Sequence, residues 1–172
     1  MKLAALFIVA AQAVAPLSAN AVSADAFADV VSAFEAVQQG GSQSRAAMVI
    51  NGAGAYPATD GVDLSRRWPA MKIKAEAPYR DRTLGPAYKV LSLAAGKSAQ
   101  FDQIFTAGQR ARIKVVPRRG TRFQLSVTDD DGKRQCAADR TPCDWTPLWT
   151  SRYRIELSNP GHMPALYYVV MQ

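Results

Sequence analysis

From residue 87 to residue 172 apolar and polar side chains alternate with a period of two, and turn residues interrupt the alternation at intervals of about 8–12 positions. Few folds accept such a text. Tyr88 to Leu93 makes the first segment, stopped by Ala95-Gly96, and Ala99 to Thr106 the second, with Phe101, Gln103 and Phe105 on one face. After Ala107-Gly108 the alternation is cleanest: Arg110, Arg112 and Lys114 share one face, while Ala111, Ile113 and Val115 share the other. Arg118-Arg119-Gly120 turns the chain, and Phe123, Leu125 and Val127 form the inward side of the next segment, which ends at Asp129-Asp130-Asp131-Gly132. Lys133 to Cys136, Cys143 to Thr150, Arg152 to Ser158 and Ala165 to Met171 complete the set, with Asn159-Pro160-Gly161 before the last. Short, half-buried strands so closely spaced predict a mostly β fold, an antiparallel β-sandwich of about seven or eight strands. A parallel sheet, covered on both faces, reads instead as continuous apolar runs.

The first part of the chain is of another kind. Met1-Lys2, the uncharged run Leu3 to Ala15, Pro16 and the small-x-small Ala19-Asn20-Ala21 have the form of a cleavable export signal over residues 1–21, with a second candidate cut after Ala26. The apolar run has 13 residues, too few to span a hydrocarbon core that takes about 20. Cutting after Ala21 leaves 151 of the 172 residues, enough for one domain with its own core. Residues 22–45 read as a helix and a Gly/Ser linker: Phe27, Val30, Val31, Phe34 and Val37 recur at helical spacing between a cap at Ser23 or Asp25 and the stop at Gly40-Gly41. That N-terminal amphipathic helix has an apolar stripe for the domain or for a partner. Residues 46–86 are irregular, with a short strand expected over Ala47-Met48-Val49-Ile50 and with Trp68, Met71 and Ile73 expected to be buried against the sandwich of residues 87–172.

An exported chain meets an oxidising compartment, so Cys136 and Cys143 are expected to form a disulfide. The formal net charge is +7, or +6 once Lys2 is removed, and arginines cluster at 66–67, 80–82, 110–112, 118–119 and 122. Such a surface suits an anionic envelope component: a polysaccharide, a lipid headgroup or an acidic protein face. Nucleic acid does not fit an exported chain, and no transmembrane span remains after the signal is cut.

The C-terminal half resembles the bacterial pre-peptidase C-terminal domain family of small extracellular β-sandwiches. The likeness is carried by Ala107 to Val115 (AGQRARIKV), Thr121 to Val127 (TRFQLSV) and Tyr153 to Leu157 (YRIEL), within residues 87–172. It implies an accessory or adhesive module. Gln124 stands where family members usually carry Asp, with Arg122 two residues earlier, so a calcium or ligand role of that carboxylate does not carry over directly.

Catalytic constellations are not legible. His162, the single histidine, lies in the turn-rich Asn159 to Pro164, and no serine occupies a Gly-x-Ser-x-Gly elbow. Carboxylate chemistry would draw on Asp102, Asp139, Asp144 or Glu156, which sequence alone cannot rank. Asp129, Asp130 and Asp131 offer hard oxygens to Ca²⁺, but their spacing is that of a hairpin turn rather than of a calcium loop. Trp145 and Trp149, flanking Pro147, suit either the core or a platform for a sugar ring. No cofactor is expected. The reading is a non-catalytic exported binding or cell-envelope module, periplasmic or secreted, with Arg110, Arg112, Lys114, Arg118, Arg119 and Arg122 as its contact set. A carboxylate-dependent hydrolase and a structural envelope subunit are the alternatives.

Overall fold

The computed structural model describes residues 25–58, 64, 67–68, 70–71, 85–138 and 142–172. The export signal expected over residues 1–21 lies outside them, as do Arg66, Ile73, Arg80, Arg82, Asp139 and Arg140. Two helices, α1 (Ala26–Gln38) and α2 (Gln43–Gly52), precede nine strands: β1 (Tyr56–Pro57), β2 (Ala87–Leu93), β3 (Ser98–Phe105), β4 (Ala111–Pro117), β5 (Gln124–Thr128), β6 (Arg134–Ala138), β7 (Cys143–Trp145), β8 (Ser151–Ser158) and β9 (Ala165–Met171). They form a five-stranded sheet, β1-β2-β9-β4-β7, facing a four-stranded sheet, β3-β8-β5-β6. Every pairing is antiparallel except the two-residue β1–β2 contact.

The mostly β class and all eight strands expected over residues 87–172 are present, and in β4, β5 and β8 the buried side is the apolar side. Ile113, Val115, Leu125, Val127, Ile155, Leu157, Val169 and Met171 fill the space between the sheets. Cys136 of β6 and Cys143 of β7 are bonded, joining an edge of one sheet to an edge of the other.

A third layer exceeds the expectation. The helices lie on the outer face of the five-stranded sheet, over a second core of Phe27, Val30, Phe34, Ile50, Trp68, Tyr88, Val90, Val116, Tyr168 and Val170. Strand β9 is therefore buried on both sides: Tyr167, Val169 and Met171 point between the sheets, and Tyr168 and Val170 point under the helices. Phe34 is fully buried at the centre, its ring stacked on Tyr168 at 4.4 Å and tilted against Tyr88 and Trp68.

Two corrections concern the helices. Ala47 to Ile50 is helical rather than a strand, because Ala46, Ala47 and Ile50 share a helix face that packs on α1 and the sheet. The stretch read as a flexible linker is a tight corner. Gly40, at φ +91°, donates to Val37 O, and Gly41 donates to Ala36 O, which closes α1 as a Schellman motif. A Cβ on Gly41 would stand 2.7 Å from Ala36 O, so the pair of glycines is a stereochemical requirement. Ser42 at once caps α2, its Oγ accepting from Arg45 N at 3.4 Å.

The Asn159-Pro160-Gly161 turn is held from within. Asn159 is fully buried; its Nδ2 donates to the carbonyls of Leu93, Ala94 and Met163, and its Oδ1 accepts from Gly161 N. One side chain thus ties the β2–β3 and β8–β9 connections together.

Because Phe34 touches three aromatic rings at once, Phe34→Ala is expected to lower the unfolding free energy by about 3–5 kcal/mol. Urea unfolding followed by circular dichroism measures it; a loss below about 1 kcal/mol would mean that the helices are not part of the cooperative core.

Candidate functional site

Strand β4 presents Arg112 and Lys114 toward α1, on the face opposite Ala111, Ile113 and Val115, with Arg110 just before it. The alternation seen in the sequence is real, but the cationic face is not free. Arg112 grips the start of α1: Nη1 donates to Asp25 Oδ2 at 2.7 Å and Nη2 to Asp25 Oδ1 at 2.9 Å, while its guanidinium lies over the Phe27 ring at 4.3 Å. Nη2 also donates to Gln172 Oε1. Lys114 Nζ stands 4.0 Å from Glu35 Oε1, and Arg110 Nε donates to Asp144 Oδ1 at 2.9 Å. The three cations singled out in the sequence are thus matched by three carboxylates of the same chain.

Among the described residues Asp25 is the most perturbed acid. Hydrogen bonds from the Arg112 guanidinium, foremost, and from the Ala28 amide hold its carboxyl down from the usual 3.8 to about 2, against the opposing effect of partial burial. Asp25 is also the N-cap of α1, so one carboxylate starts the helix and fastens it to the sheet. Asp144 is lowered in the same sense by its hydrogen bonds from Arg110.

The remaining arginines of the set are placed differently. Arg118 and Arg119 occupy the β4–β5 turn, where Thr121 N donates to Arg118 O and Gly120 takes φ +78°, a left-handed conformation that a side chain would strain. Arg122 follows, its carbonyl accepting from the phenol of the buried Tyr167 at 2.9 Å. All three side chains are exposed, and among the described residues none makes an ion pair. They line an open groove of about 1640 Å³ together with Glu35, Gln38, Gln39 and Gly40 from the C-terminal end of α1 and its corner, and with Gln124 and Pro160. Gln38 is fixed in that lining by donating to Val116 O and Leu166 O. The loop arginines, read in the sequence as turn residues within a wider basic face, are exposed and without an ion pair among the described residues, whereas Arg110, also exposed, is held by Asp144.

The other candidates fall elsewhere. Trp145 packs on Phe105 and Tyr153, with ring centroids 5.0 and 5.5 Å away, and its indole N–H is buried with no acceptor among the described residues. Trp149 is 79% exposed beside Leu148 in the β7–β8 loop, so the two indoles do not make a common platform. Asp129 serves its own hairpin, accepting from Lys133 N and Gln135 Nε2; Asp130 accepts from Ser151 Oγ, and Asp131 is exposed. Among the described residues no three metal-ligating side chains converge. Asp102 lies near Arg152 and Arg154, on the outer face of the four-stranded sheet with Glu156, whereas Asp144 lies by Arg110 at the edge of the other sheet. His162 is exposed in the β8–β9 loop. No helix among the described residues is long and apolar enough to cross a membrane.

No protein-family model and no curated protein matches the sequence. Among solved structures, the chain is similar over 51% of its length to 85% of a mitogen from Yersinia pseudotuberculosis, with 11% identity and a TM-score of 0.46. It is similar over 49% of its length to 88% of the pre-peptidase C-terminal domain of a Bacillus anthracis collagenase, with 5% identity and a TM-score of 0.42. Over 51% it is similar to 86% of a periplasmic inhibitor of g-type lysozyme from Aeromonas hydrophila, with 14% identity and a TM-score of 0.35. The second of these is from the family that the strand motifs resemble.

Asp25→Asn keeps a capping side chain but removes the charge that Arg112 holds. Because the depressed carboxyl contributes stability above its unfolded value and loses it as pH falls from 3.8 toward 2, the variant is expected to be less stable than the parent at pH 7. The pair is partly open to solvent, so the gap is held to about 1 kcal/mol. Denaturation at neutral pH and near pH 2 is expected to show it closing in acid; a gap that persists there assigns the loss to something other than charge.

Proposed function

We propose that this chain is an exported, non-catalytic binding module of the cell envelope, and that Arg118, Arg119 and Arg122 form its contact with an anionic partner. The observation that carries the reading is the division of the cations. Arg110, Arg112 and Lys114 are matched by acids within the molecule, while the three turn arginines line a groove with no acid of their own. Unpaired guanidiniums on one turn repel one another, and an incoming carboxylate, sulfate or phosphate relieves that repulsion while making charge-assisted, often bidentate hydrogen bonds. The anchors beneath the turn favour the same use: with Arg122 O held by Tyr167, less order has to be imposed when a ligand arrives.

The export signal, the disulfide and the basic exterior support a periplasmic or secreted location. Cleavage after Ala21 keeps Asp25, which caps α1 and holds Arg112, whereas the cut after Ala26 would remove it, which favours the first.

Replacing Arg118, Arg119 and Arg122 together by Glu is expected to abolish retention of the mature protein on an anionic matrix such as heparin-agarose. Replacing Arg110 alone by Gln is expected to leave the elution salt nearly unchanged. Elution of the triple variant at the parent's salt concentration, with an unchanged melting curve, would remove these residues from the contact.

A further inference from the structure

The groove at the β4–β5 turn does not end at the turn. Gln124, one of its lining residues, also lines a second, shallower depression on the outer face of the four-stranded sheet, with Ser126, Arg134, Ala137, Glu156 and Ser158. The two share that residue, and their linings taken together trace one course. It begins between α1 and β4, rounds the end of the sandwich over Arg118, Arg119 and Arg122, and continues along β5 toward Arg134. On the sheet, Gln124 to Thr128 adds about 13 Å at a strand rise of about 3.3 Å per residue, and Thr128 is the register partner of Arg134. Five cations, Lys114, Arg118, Arg119, Arg122 and Arg134, stand along the path against two carboxylates, Glu35 and Glu156, the first already opposite Lys114. Arg134 is exposed and makes no ion pair among the described residues.

We infer that this path holds a linear acidic polysaccharide, laid lengthwise around the end of the sandwich. The inference rests on the proposed anion-binding role of the turn arginines and names its ligand class. Shape decides against a membrane: the path runs from the outer face of one sheet to the outer face of the other, and a planar array of headgroups cannot meet two faces that point apart. Composition decides against an acidic protein. Protein contacts concentrate their affinity in desolvated aromatic anchors, and the single aromatic lining the path, Phe123, is only 6% exposed. Between the cations the lining is amide and hydroxyl, from Gln124, Ser126 and Ser158, with Ser158 Oγ donating to Gln124 Oε1 at 3.5 Å. Such groups hydrogen-bond the hydroxyls of a sugar chain while the arginines take its charges.

Isothermal titration with digalacturonate, hexagalacturonate and dodecagalacturonate tests this on the mature protein. Affinity is expected to rise with length, by roughly tenfold or more from the shortest to the longest, as one more charge-assisted contact allows. Arg134→Glu and, independently, Ala137→Glu are expected to remove that gain for the dodecamer while leaving the affinity for digalacturonate within about twofold of the parent, a difference that falls short of one contact. Length-independent affinity, or variants equal to the parent on the dodecamer, overturns the path and leaves the turn site standing. Binding to phosphatidylglycerol vesicles but to no galacturonate overturns the choice of ligand. Failure to bind heparin, vesicles and galacturonates alike overturns the anion-binding reading itself.

Discussion

The structure depends on strand β9 being apolar on both of its faces. Tyr167, Val169 and Met171 need the opposing sheet, and Tyr168 and Val170 need a cover on the other side. A two-layer sandwich supplies only the first. Left in water, Tyr88, Val90, Val116, Tyr168 and Val170 would form one contiguous apolar patch, each forfeiting on the order of 1.5–3 kcal/mol of burial. The helices exist to fill that demand, and the stacking of Phe34 on Tyr168 is where the two parts meet.

Covering that face with a helix determines what becomes of the charges beside it. The cations of β4 point to the same side as Val116, so α1 arrives over them as well as over the apolar residues. A guanidinium brought under a helix needs a counter-charge. Asp25 at the helix start and Glu35 near its end provide it for Arg112 and Lys114, and the Phe27 ring covers the guanidinium of Arg112. The pairing of Arg112 and Lys114 with acids of α1 follows from the cover that β9, adjacent to β4, requires, whereas Arg110 is paired at the other edge of β4 by Asp144 of β7.

Much of this was legible. Local alternation and the turn signals between segments located the eight principal strands, and alternation gave the inward sides of those such as β4, β5 and β8 that it patterns, while the two cysteines announced their bond because few other uses were open to them. What was not legible was what lies on the polar face of a strand. Alternation says that Arg112 and Val115 point to opposite sides; it does not say that Asp25, 87 positions earlier, comes to the side of Arg112. The continuous burial of Tyr167 to Met171 was a signal available in the sequence, since ALYYVVM does not alternate. Helix α2 was missed because Met-Val-Ile is β-prone locally, while its burial pattern and its Ser42 cap are helical; tertiary packing overrode propensity. The turn arginines were visible as residues, but their lack of acidic partners is a property of the whole assembly.

The same division sets which cations a ligand can use. For a polyanion to recruit Arg112 it must break a bidentate pair, uncap α1 and expose Phe27, so binding energy obtained there is offset by a loss of helix stability. Arg118, Arg119 and Arg122 carry no such penalty, since no carboxylate among the described residues holds them. Salt separates the two groups in the same way. Ions at physiological strength screen exposed charges over about 8 Å, which weakens a contact at the turn while leaving the shielded Arg112 fork and the aromatic stack beneath it largely intact. On the proposed reading, a rise in ionic strength releases a bound anion without loosening the fold, because the turn arginines and the charges that hold the helix are different residues.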